Sequence, residues 1–181
     1  MVTVRSDEER VLSIINFFKD YKFYILSVVL VITISVGGYF FSERVKSNQI
    51  LAAKVLYEDW EVTSVQEDRE ELFQNLTENY SDTGYSHLAL LKRGSDLAKE
   101  NNLVESIDVF YQLKENSDGF FGNSLMNGIA RTNIARISIA LGNFEDALKV
   151  LEKYSNDEDA YTHELKGDAL SGAGNDDLAL Q

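Results

Sequence analysis

Few residues in this 181-residue chain are of types that do chemistry, and their spacing assembles no reactive constellation. Cysteine is absent, which removes disulfides, thiol catalysis and zinc knuckles and leaves the compartment open, since a cysteine-free domain tolerates either redox poise. The two histidines, His87 and His163, have no H-E-x-x-H or similar pattern around them, so each reads as a partly buried helix residue. Asp157-Glu158-Asp159 gathers three carboxylates without the calcium-loop pattern and reads as a solvated helix start. Phosphate-loop, dinucleotide-fingerprint and nucleophile-elbow motifs are missing. Asn75-Leu76-Thr77 meets the N-glycosylation pattern but falls inside a helical run, where it is accidental. The expectation is therefore a protein without catalytic residues, cofactor or metal.

Charge narrows the partners. Residues 23–42 carry no charge, and residues 1–22 balance four Lys/Arg against four acids. The whole net charge of −13 thus sits on residues 43–181. Such a surface repels nucleic-acid backbones and anionic lipid, and its plainest role is to keep a domain soluble. Proline is also absent, so Gly, Asn and Asp must end the helices.

The uncharged stretch predicts the element that positions everything else. Phe23 to Ser42 is long enough, at about 1.5 Å per residue, to cross a hydrocarbon core of about 30 Å. Tyr24 and Tyr39 lie near its two ends, as in an aromatic belt. A cleaved signal peptide fits less well: the run exceeds an ordinary signal core, and the first alanine is Ala52, although Ser35 and Gly37 are small. Three Lys/Arg flank each side, so charge leaves the orientation open, and only the short tail before a long domain favours an inward N-terminus. Thr33 with Gly37 and Gly38 with Ser42 are small residues four apart, candidate contacts for a neighbouring membrane helix. In the tail, Ser6 and Glu9 form a capping-box pattern, and Val11, Ile14, Ile15 and Phe18 share a face. That face either lies along a membrane surface or continues into the span.

Beyond Ser42 the apolar residues recur at helical spacing, with helices expected over 47–62, 69–80 and 85–99 as a degenerate first layer. An internal similarity follows. The segments beginning at Asn102, Asn143 and Gly174 share a turn residue, acids, a small residue and then large apolar residues. Twelve residues before the small positions Ser106, Ala147 and Ala179 stand Gly94, Ala135 and Gly167. Small residues at both places let paired helices pack closely, which resembles the tetratricopeptide repeat. Ser106 and Ala147 are further apart than one standard repeat of about 34 residues, and the excess is expected near Asn116-Ser117-Asp118-Gly119. The third copy stops at Gln181; a partner covering that edge or a fragmentary sequence would account for it, the fragment being favoured because a terminal repeat needs a cap.

The expected architecture is thus all-α: a tail (1–22), one transmembrane helix (23–42), and a tetratricopeptide-repeat-like solenoid (43–181). If inner helices line a groove, Asn127, Arg131, Asn133 and Arg136 are candidate partner-binding residues. The arginines suit a carboxylate, although salt bridges with neighbouring acids are the favoured, plainer reading.

Phe17-Phe18-Lys19, the anchor, Ala52-Ala53-Lys54-Val55-Leu56-Tyr57, the block Tyr80 to Ala89 and Leu165 to Leu170 together resemble the YfgM family of bacterial inner-membrane proteins over nearly the whole chain. Lys92-Arg93 departs from it, standing where alanine and leucine are usual. The resemblance implies a cytoplasmic tail, a periplasmic repeat domain, and association with the SecYEG translocon and the chaperone-like protein PpiD. It implies no catalytic residues. The leading expectation is a translocon-associated scaffold that assists periplasmic chaperones with newly exported proteins. Second comes an anchored assembly factor for another envelope complex, and last an enzyme or its regulatory subunit.

Overall fold

Apolar residues at three-to-four spacing form helices along the whole computed structural model, which describes residues 7–152 and 160–179; among these there is no strand. Contacts divide the chain into two units, Met1–Asn48 and Gln49–Gln181.

The first unit holds α1 (Asp7–Asp20) and the start of α2 (Lys22–Val62). A bend at Tyr21 separates the two helices, yet Tyr21 N–H donates to the Phe17 carbonyl at 3.0 Å and Ile25 N–H to Tyr21 at 2.9 Å. Helical bonding therefore carries through the bend. Ser6 of the expected capping box lies outside the described residues. Val11, Ile14, Ile15 and Phe18 are exposed, as are the large apolar side chains of the span apart from the half-buried Ile25. α2 is long and apolar enough, by length and composition, to cross a membrane, which makes it a candidate anchor. The hydroxyls of Ser27, Thr33 and Ser35 each donate to the carbonyl four residues back at 2.8 Å, so they are satisfied within the helix.

The second unit begins with residues 49–62 of α2 and continues through α3 (Gln66–Asn79), α4 (Gly84–Lys99), α5 (Leu103–Asn116), α6 (Ser124–Ala140), α7 (Phe144–Glu152), α8 (Ala160–Gly172) and α9 (Asp176–Ala179). Trp60, only 2 % exposed, centres the first layer, with Phe73 and Tyr57 ring centroids 5.8 and 5.7 Å away. The Arg69 guanidinium and the Lys92 ammonium lie 5.1 and 5.7 Å from the Trp60 ring centroid, where the π-face attracts cations. Lys92 also bonds Glu61 at 2.6 Å, and Arg93 approaches Glu70 at 3.6 Å. The two polar residues at 92 and 93 thus tie α4 to the end of α2 and to α3.

From α4 onward the helices pair: α4 on α5, α6 on α7, α8 on α9. Gly94 and Ser106 meet as their spacing predicts. A Cβ at Gly94 would stand 2.9 Å from the Phe110 ring, and Ser106 Oγ donates to the Gly94 carbonyl at 2.7 Å. Ala135 and Ala147 are fully buried, and a Cβ at Gly167 would make ordinary contact, 3.6 Å, with the Ala179 carbonyl. The extra residues of the first pair form the loop 117–123.

All three pairs turn by one device in place of proline. Asn101, Gly142 and Gly174 adopt positive φ of 62°, 77° and 78°, the left-handed conformation that ends helices. The following asparagine, Asn102, Asn143 or Asn175, donates its N–H to the carbonyl five residues back at 2.8–2.9 Å. Its own carbonyl then accepts the N–H of Ser106, Ala147 or Ala179, opening the next helix. The small residue of each repeat is therefore placed by the turn before it.

Candidate partner-binding surface

The first helices of the pairs, α4, α6 and α8, stand side by side, whereas α5 and α7 do not approach each other. A solenoid so built has its first helices on the inner side and its second helices splayed outside. α6 accordingly presents two different faces, and the four candidate residues divide between them.

Asn127 and Arg131 point toward α5 and α7. Asn127 Nδ2 donates to the Lys114 carbonyl at 2.8 Å, near the end of α5. Arg131, 7 % exposed, donates from Nε to Asn127 Oδ1 at 2.7 Å and from Nη1 to the Val150 carbonyl at 3.0 Å. Val150 lies in the last turn of α7, where carbonyls lack helical partners and a cation is favoured. Asn127 and Arg131 thus join the C-terminal ends of two second helices. Asn133 and Arg136 lie elsewhere on α6: Arg136 is exposed and donates from Nη2 to Asn133 Oδ1 at 2.7 Å.

The expectation that all four residues share one groove is therefore corrected. Asn133 and Arg136 share the open stripe of α6 with Ile129 and Ala140, while Asn127 and Arg131 belong to the α5–α6–α7 junction. Both arginines bond amide or carbonyl oxygens, and among the described residues neither forms a salt bridge. The angle between residues could have exposed this beforehand. At about 100° per residue, Arg136 lies roughly 140° around the helix from Arg131.

The remaining candidates fall into place more simply. His87 is buried, with Nε2 3.2 Å from the Asn116 carbonyl, tying the start of α4 to the end of α5. Burial pushes its pKa below the ordinary histidine value, outweighing the Asn116 carbonyl and the Asp82 charge, which act upward. Thr77 of the glycosylation pattern is buried within α3 and donates to the Phe73 carbonyl at 2.9 Å. Asp157-Glu158-Asp159 lies outside the described residues, and among the described ones no cluster of acids or histidines is arranged to hold a metal. Thr33 and Ser42 lie exposed on α2, and a Cβ at Gly37 or Gly38 would meet only open space.

The family model described as a tetratricopeptide repeat-like domain matches residues 16–181. The chain belongs to that family. No curated protein and no solved structure matches it. Tetratricopeptide repeat-like domains are typically protein–protein interaction scaffolds rather than enzymes. Within this domain the stripe of α6 that carries Asn133 and Arg136 is open.

Proposed function

We propose that this chain is a single-pass scaffold of the bacterial inner membrane, associated with the SecYEG translocon and assisting a PpiD-like periplasmic chaperone with newly exported proteins. The tail 1–22 is cytoplasmic, 23–42 spans the membrane, and 43–181 forms the periplasmic repeat domain. The observation that carries this reading is the union, in one chain, of an exposed apolar helix with a repeat domain whose inner stripe is open. The resemblance to the YfgM family supplies the specific partners. An acidic surface that repels anionic lipid and nucleic acid agrees with binding to protein.

Site-specific photocrosslinking in native membranes tests it. A photoreactive residue at Arg136 should capture the chaperone, and one at Gly37 should capture a translocon subunit. Capture of another envelope assembly from both positions would replace this reading with that of an anchored assembly factor. Topology is checked with single cysteines, since the chain has none. After the outer barrier is removed, Ser124→Cys should react with an impermeant thiol reagent and Ser6→Cys should not; the reverse pattern overturns the orientation.

A further inference from the structure

The gap between α5 and α7 is a pocket of about 280 Å³. Tyr111, Lys114 and Asp118 line it from α5 and the loop beyond, Arg131 from α6, and Asp146 and Lys149 from α7. Three cations converge there in a chain of net charge −13. None of the three is paired with a carboxylate among the described residues, whereas Lys54, Lys92, Arg93 and Lys99 each hold one. Among the described residues the two local acids form no ion pair with these cations. Asp118 Oδ1 accepts the Gly119 N–H at 2.9 Å, and Asp146 sits in the first turn of α7, where the helix favours negative charge. Arg131 is held in place by Asn127 and Val150 through Nε and Nη1, which leaves Nη2 for the pocket. Lys114 lies over the Tyr111 ring at 4.9 Å from its centroid.

We infer that this pocket binds a carboxylate of a partner protein. Three cations against two acids match a single negative charge better than a doubly charged phosphate. A buried, pre-oriented guanidinium recognises a carboxylate with little ordering cost. The volume lies just below the usual range of small-molecule sites, which suits one acidic side chain or a chain terminus rather than a cofactor. The site opens between second helices, away from the Asn133–Arg136 stripe, so a partner here and one in the inner groove need not compete. It is independent of the translocon reading, and loss of either leaves the other standing.

The test uses the full chain in detergent micelles and three short peptides, all acetylated at the N-terminus. One carries a glutamate and an amidated C-terminus, the second a glutamine and a free C-terminus, and the third a glutamine and an amidated C-terminus. The Arg131 Nε–H resonance, set by its bond to Asn127, is followed by NMR. One of the first two peptides should shift it saturably and thereby identify the carboxylate as side-chain or terminal; the uncharged third should not. Lys149→Glu, at an exposed position, should weaken binding by roughly tenfold. Lys149→Gln should weaken it less, both with an unchanged thermal midpoint. No shift with either carboxylate, an equal shift with the uncharged peptide, or unaltered affinity in Lys149→Glu overturns the assignment.

Discussion

The layer around Trp60 and the junction around Arg131 both set cations among packed helices, but they use them differently. In the layer around Trp60, Lys92 meets Glu61 as well as the indole face and Arg93 meets Glu70, while Arg69 lies over the same ring. Around Arg131 the bonds run to neutral oxygens, and the positive charge itself is left uncompensated by any described ion pair. A buried or half-buried cation in an acidic domain therefore says little about recognition by itself. What distinguishes the two regions is whether a carboxylate of the same chain already answers it.

Replacing the two central side chains should give the largest contrast. Trp60→Ala removes a nearly fully buried indole and the surface that two cations lie on, and should cost about 3–5 kcal/mol. Arg131→Ala leaves the Val150 carbonyl and the Asn127 amide oxygen without their donor, and should cost about 1–3 kcal/mol. Denaturant unfolding of both variants measures the difference; equal losses would erase the distinction between a packing centre and a staple.

A buried group that carries no charge sharpens the same comparison. The His87 pKa is lowered in the fold, so between the folded value and the unfolded one, about 6.5, the unfolded chain binds a proton that the folded chain refuses. Its contribution to stability is present at neutral pH and is lost as pH falls below about 6.5. The thermal midpoint should drop between pH 7.5 and 5.5, and His87→Gln, which can still donate to the Asn116 carbonyl, should flatten that slope. An unchanged slope would mean that His87 is not a source of the pH dependence.

The smallest effects concern the outer cations. Lys92→Ala should lower the thermal midpoint slightly, and less so in high salt, because its partner Glu61 is held below the usual carboxylate range chiefly by that hydrogen bond. Lys149→Ala, with no acid to lose among the described residues, should leave the midpoint where it is. A drop in the second variant as large as in the first would show that the pocket cations serve stability after all.

The parts of this fold legible in the sequence are those set by local periodicity. Helices expected over 69–80 and 85–99 from apolar spacing are found at 66–79 and 84–99, and the Gly94–Ser106 approach follows from two small residues twelve apart. The loop 117–123 lies where the excess length required it. The site was less legible, because its meaning depends on direction. Asn127, Arg131, Asn133 and Arg136 are close in sequence, yet only the packing of α5 and α7 on α6 encloses two of them in the junction between those helices. Nothing local to Lys114 and Lys149, on different helices, signals that they share one pocket.

The twelve-residue spacing within each helix pair also bears on the order of assembly. Gly94 and Ser106 come into register by closing a short stretch of chain, and the entropy of closing so small a loop is modest. The same holds for Gly167 and Ala179. Contacts of such short range favour rapid folding, since no pair waits for a distant strand to arrive. On a chain emerging from its N-terminus, the α4–α5 pair can close before α6 is available. Each later pair then docks on a finished surface, and little apolar area need stand open while synthesis continues.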